Sequence, residues 1–237
     1  MTVNLENDKL KSKFSDTAFF QMPRWEKLHK KGKRFMKKLL LLVITICMLG
    51  TLAGCGSRDT EKKLSRGTIE GDVYTSEFAD IKFTKPENWV YSTDEEIAQV
   101  MNVGAEILEQ SEFEKNAAEL TTVYDMMVKD VLWGNNVSVG FENLQLSQAS
   151  NITVEQYIDT IKTLMVQQTS AMNYEFGDTA EVALGEQTYT RLPAIGSYSG
   201  ISFEQYMYLR KEGTYMIVIT VSVFDGTEAS TFEAMFQ

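Results

Sequence analysis

The sequence predicts an α+β fold, an antiparallel β-sheet with helices packed against it. Two observations lead there. Short runs of alternating apolar residues recur through residues 72–237, joined by tight turns. Capped amphipathic segments interrupt them only twice, once after the second strand and once before the last four. A parallel α/β sheet would need a helix between every two strands.

The elements follow in chain order. Val73–Ser76 and residues 81–83 read as short strands. Lys85-Pro86-Glu87-Asn88-Trp89 reads as a turn, because Pro fixes φ and Asn tolerates a left-handed backbone. Trp89 is expected in the core, where that turn meets the first helix. Thr93 caps this helix, and Glu96 completes a capping box. Ile97, Val100, Met101, Gly104 and Leu108 share one face, with Glu95, Glu106 and Glu109 opposite. The spacing predicts about four turns.

Residues 113–132 fit two patterns. Leu120, Val123, Tyr124, Met127, Val128 and Val131 have helical spacing. Tyr124, Met126 and Val128 also alternate against Asp125 and Lys129. The turn residues Gly134-Asn135-Asn136 and the alternation of Val137, Val139 and Phe141 favour a hairpin of 122–129 with 136–143.

Thr153 and Gln156 form a second capping box, and Val154, Tyr157, Ile158, Ile161, Leu164 and Met165 make a buried stripe. Strands 181–184 and 188–192 flank Gly185-Glu186, and strands 202–210 and 214–224 flank Lys211-Glu212-Gly213. In the last strand Ile217, Ile219 and Val221 fill one face, while Met216 and Val218 begin the other. Tyr206 and Tyr208 share a face and read as core under a helix rather than as a ligand groove. Ser230 and Glu233 open a short third helix. It is too short to persist alone, so Phe232 and Phe236 are expected to dock on the sheet, Phe232 the deeper.

The stretch 73–89, a short strand followed by Ala79-Asp80-Ile81-Lys82-Phe83-Thr84-Lys85-Pro86-Glu87-Asn88-Trp89, resembles the opening of the PsbP-like fold. The helix start Ile152-Thr153-Val154-Glu155-Gln156-Tyr157 and the closing hairpin fit it too. The resemblance covers roughly 72–237. It implies an α/β/α sandwich, with helices against both faces of the sheet. It carries no catalytic site, because members of that fold are accessory and binding proteins with differing partners.

The front of the chain is a different object. Residues 1–54 hold eleven Lys/Arg and four Asp/Glu, and residues 55–237 hold twelve and twenty-nine. Residues 30–38 are densely basic, and the next fifteen residues, 39–53, carry no charge. That order is an export signal. As a helix the uncharged run rises about 22 Å, short of a roughly 30 Å hydrocarbon core, which weighs against a transmembrane anchor. It ends on Leu52-Ala53-Gly54-Cys55, so 36–55 resembles a bacterial lipoprotein signal peptide. Leu52, Ala53 and Gly54 would set the cleavage point, and the Cys55 thiol would accept the diacylglyceryl group. Residues 36–54 are then the signal, and 55–71 the lipidated Cys and a flexible tether with a reach of about 22 Å. Residues 72–237 are the single globular domain. Residues 1–35 precede a natural start at Met36. They are either upstream sequence outside the true reading start or a cytoplasmic extension.

Composition removes most chemistry. The only His is His29 and the only Cys are Cys47 and Cys55. Ser–His and Cys–His nucleophiles are therefore excluded beyond residue 55, and so are the usual zinc sites. Asp94-Glu95-Glu96 lacks the spacing of a calcium loop and suits the positive end of a helix. No glycine-rich phosphate loop is present, and no cofactor is expected. The acidity of 55–237 excludes nucleic acid and favours a protein partner with a basic surface. An exported domain without disulfides suits a Gram-positive envelope. The reading is a lipid-anchored, extracytoplasmic, non-catalytic binding or accessory module, held to the cell membrane through its lipid. The alternative is a small ligand-capturing or hydrolytic envelope lipoprotein.

Overall fold

The computed structural model describes residues 62–168 and 172–237. Two antiparallel sheets carry the fold. The small one has the order β1 (Thr68–Glu70), β2 (Val73–Ser76), β3 (Ile81–Thr84). The large one contains β4 (Trp89–Tyr91), β5 (Thr122–Asp130), β6 (Asn136–Asn143), β7 (Asn173–Phe176), β8 (Ala180–Leu184), β9 (Gln187–Tyr198), β10 (Ile201–Glu212) and β11 (Tyr215–Val223). Its order is β4-β5-β6-β11-β10-β9-β7, with β8 also pairing β9. The helices are α1 (Asp94–Met101), α2 (Phe113–Ala117), α3 (Val154–Gln168) and α4 (Ala229–Glu233).

Alternation along the strands divides the core into two clusters. Ile217, Ile219 and Val221 of β11 join Val137, Val139, Phe141 and Tyr208 on one face. Tyr74, Phe78, Ile81 and Phe83 from the small sheet, with Ile97 of α1 and Phe232 of α4, belong to the same cluster. Met216 and Val218 turn the other way, with Leu192, Met207 and Leu209. There they meet Tyr157, Ile158, Ile161 and Met165, the stripe expected on α3. The α3 capping box is present in both directions, Thr153 to Gln156 and back, at 3.0 and 3.3 Å. The hairpin of β5 with β6 forms as expected, in antiparallel register.

Several expectations are corrected. Residues 62–71, read as tether, belong to the fold: Leu64 is buried, and β1 pairs with β2 in the register Ile69↔Tyr74. A left-handed Gly71 turns the chain between them. The first helix is half its expected length. Asn102 adopts the left-handed conformation and caps it, and its N–H reaches back to the Ala98 and Gln99 carbonyls. A short 3-10 turn, Ala105–Leu108, then resumes and buries Leu108. Trp89 is not the last residue of a turn but the first of β4. It is buried as expected, with 5% of its surface exposed. Helix α2 and strand β7 were not expected. β9 runs on past 192, through Pro193, which falls between the stretch that pairs with β8 and the stretch that pairs with β7. A proline is tolerated where a strand changes neighbours. Ser230 is not a cap; α4 starts from Glu228, and no side chain caps it.

Candidate functional site

The residues expected to carry lipidation, Leu52, Ala53, Gly54 and Cys55, lie outside the described residues. Within the described domain the groups with chemical potential are buried carboxylates.

Asp125 sits at a bulge in β5, where the register with β6 shifts between Tyr124 and Met126. The bulge aims its side chain inward. There it accepts the Gly67 N–H at 2.9 and 3.1 Å and the Tyr74 hydroxyl. The Arg66 Nε lies 4.0 Å away. Burial pushes the Asp125 carboxyl up to about 6, against the pull of the Tyr74 and Gly67 hydrogen bonds and the Arg66 charge. Arg66 itself is clasped by Asp94 and by the Leu108 carbonyl. Asp94 is thus an ion-pair partner, and Glu96 closes the capping box with Thr93.

Glu142 faces the other cluster, since its cross-strand partner is Met216. It accepts the Tyr157 hydroxyl of α3. Burial raises its pKa and that hydrogen bond lowers it, with burial the larger. Asp130 accepts the Leu132 N–H at 2.8 Å and the Asn88 amide at 3.2 Å. Glu233 accepts from Arg191 at 2.8 Å and from the Tyr208 hydroxyl at 3.0 Å, which ties α4 to β9 and β10. Asp125 and Glu142 lie on opposite faces of the sheet and cannot work on one bound atom. The open hollows beside α1 and beside the start of α3 are lined by neither of them, nor by Asp130.

The surface offers a sharper feature. The turn between β5 and β6 is Val131-Leu132-Trp133-Gly134-Asn135, and its first three residues are exposed, Trp133 to 65%. The tip is held in shape. The Gly134 N–H donates to the Asp130 carbonyl at 3.1 Å, and the Asp130 N–H to the Asn135 carbonyl at 2.7 Å. The buried Asn135 side chain accepts the Phe224 N–H at 2.8 Å. Gly134 takes φ +82°, a conformation that most residues resist. Beside the tip an aromatic row crosses the sheet end, Phe224 on Phe203 at 5.4 Å and Phe203 on Tyr174 at 6.3 Å. The sequence reading passed over this tip. Its signal is three consecutive apolar residues directly before the turn-forming Gly134-Asn135-Asn136.

No protein-family model and no curated protein matches the chain. Among solved structures, the chain is similar to the solution structure of cyanobacterial PsbP (CyanoP) from Synechocystis sp. PCC 6803. The identity is 13% and the TM-score 0.45, over 80% of this chain and 98% of that one. It is also similar to a crystal structure from Bacteroides thetaiotaomicron VPI-5482, at 11% identity and a TM-score of 0.39. That match covers 71% of this chain and 48% of the other.

Proposed function

We propose that the chain is a lipoprotein anchored to the extracytoplasmic face of the cell membrane, in a Gram-positive envelope. Its domain, an α/β/α arrangement of the PsbP-like kind, is a non-catalytic binding or accessory module of a membrane or cell-envelope complex. The anchor reading rests on Leu52-Ala53-Gly54-Cys55 after the basic and apolar run. With residues 62–71 in the fold, only 56–61 remain as tether, a span of at most about 20 Å when fully extended. The domain therefore works at the membrane surface.

The observation that carries the binding reading is the fate of the buried carboxylates. Asp125, Asp130 and Glu142 are each engaged by donors of their own chain. A glycoside-hydrolysing site would bring two carboxylates to one pocket, and the usual Ser–His and Cys–His hydrolytic sites need a His, which the domain beyond Cys55 lacks.

The test is metabolic labelling with a clickable fatty acid, paired with native gels of mild-detergent extracts. Wild type takes up label and migrates above its monomer mass, whereas Cys55→Ser takes up none. Equal labelling of the two chains would end the anchor reading. Migration as a monomer alone would end the accessory-module reading.

A further inference from the structure

We infer that the Val131–Trp133 tip docks into an apolar recess bordered by Lys and Arg side chains on another envelope protein. This rests on the binding-module reading above. Three adjacent exposed apolar residues on a hydrogen-bonded turn form an anchor whose shape is set before binding. Tryptophan on such a tip is the residue type most enriched at binding hot spots.

Charge selects the occupant. The exposed acids Glu87, Asp225 and Glu228 stand at the same end of the large sheet as the tip. Glu87 precedes Asn88, which bonds Asp130 at the base of the tip. Asp225 follows Phe224, whose N–H the tip's Asn135 accepts. Glu228 comes three residues later, as the N-cap of α4. Against them the hairpin itself carries a single lysine, Lys129. Acids at the same end of the sheet as an apolar tip complement basic side chains beside an apolar recess. They disfavour an anionic lipid surface. They also disfavour a symmetric tip-to-tip contact with a second copy, which would set acid against acid.

Position agrees. Lys62 pairs with Asp80, and Asp80 accepts from Gln187 at 3.4 Å, so Lys62 lies beside the start of β9. The register Asn136↔Ser222, Ser222↔Gln205, Gln205↔Ala194 places Asn136, at the base of the tip, level with Ala194, seven residues or about 23 Å further along the strand direction than Gln187. The tip therefore lies toward the opposite end of the sheet from Lys62.

The test uses the full chain in intact cells, with a benzophenone side chain installed at position 133 and, as control, at the exposed Val166. Irradiation at 133 is expected to join the chain to another protein. The joined peptide, sequenced by mass spectrometry, should carry Lys or Arg beside apolar residues. Position 166 should give no such product. The paired changes Glu87→Lys and Glu228→Lys, both on exposed side chains, should lower the yield about tenfold, as like-charge contact across an interface does. An adduct of lipid mass, an adduct with a second copy, a non-basic joined surface or no adduct overturns the proposal. So does a yield indifferent to the charge reversals. Cys55 labelling is scored in the same cells. A labelled chain without the adduct removes this inference and leaves the anchor standing, and an adduct on an unlabelled chain does the reverse.

Discussion

The backbone N–H of Gly67 donates to both oxygens of the Asp125 carboxylate, at 2.9 and 3.1 Å. This single donor fastens the N-terminal strap to the bulge of β5. It also fixes the residue type. A Cβ on Gly67 would lie 2.4 Å from the Tyr74 ring, 2.8 Å from the Thr75 carbonyl and 2.9 Å from the carboxylate itself. Gly67→Ala must push the strap away, which leaves a buried carboxylate short of a donor. The expected cost is about 1–3 kcal/mol. It should show as a lower urea midpoint and faster proteolysis between 62 and 71. A variant with unchanged midpoint and cleavage would mean that the strap contributes nothing to the fold.

Asp125 also gives the fold a pH dependence. Its carboxyl titrates near 6 in the folded state against an ordinary 3.8. Between those values the folded chain holds a proton that the unfolded chain has released. Stability from this group is therefore highest below about pH 4 and declines as pH rises toward 6, by about 2–3 kcal/mol. Above pH 6 the decline is complete. Glu142 leans the same way, so the useful quantity is the difference between wild type and Asp125→Asn. That difference should change across pH 4–6 and level off above it. Urea titrations at several pH values that give a constant difference would refute the assignment.

Much of this architecture was legible in residue patterns. Capping boxes at Thr93 and Thr153 named two helix starts, because each needs only residues three apart. The alternation of Ile217 and Ile219 against Met216 and Val218 correctly divided the two faces. What stayed hidden depended on distant partners. The strap at 62–71 is mostly polar, and it becomes structure through partners distant in sequence: the pairing of β1 with β2 and its contacts with Asp94, Leu108 and Asp125. β7 pairs at the edge of β9 beyond a proline. The helix break at Asn102 turns on one left-handed residue inside an otherwise continuous stripe. The candidate site was hidden for another reason. Alternation finds buried faces, whereas Trp133 matters because it is exposed.

The two described tryptophans should behave as opposites. Trp89 is buried against Phe232, ring centres 6.0 Å apart, and Trp133 is largely exposed. Trp133→Phe is expected to remove a red-emitting, acrylamide-quenched component and leave the melting temperature within about a degree, as for a surface change. In that background, with Trp25 also replaced by Phe, the remaining emission should be blue-shifted and resist quenching. Trp89→Ala should then cost about 3–5 kcal/mol. A Trp89 that quenches freely would place it outside the core.

The last eight residues should act as a cover for the sheet rather than as a tail. Phe232 is buried beside Trp89, and Phe236, slightly less buried, meets Phe83 with ring centres 5.0 Å apart. Backbone bonds complete the attachment. The Gln237 N–H donates to the Lys82 carbonyl at 2.7 Å, and the Lys82 and Thr84 N–H groups return to Gln237 and Met235 at 3.1 and 2.9 Å. Gly185 lies against this junction, where a Cβ would come within 2.4 Å of the Gln237 carbonyl oxygen. Because it also holds φ +61°, Gly185→Ala strains the turn and the terminus together. Deleting 230–237 removes two buried rings and three backbone bonds and bares Phe83 and Trp89. Each buried Phe alone is worth about 3–5 kcal/mol, a large part of a typical 5–15 kcal/mol stability. The deletion is expected to aggregate through the exposed apolar face. Phe236→Ala should keep the fold at a lower melting temperature and serve as the milder case. Size-exclusion chromatography and thermal melts read both. A monomeric deletion with an unchanged melting temperature would show that Phe83 and Trp89 do not depend on this cover.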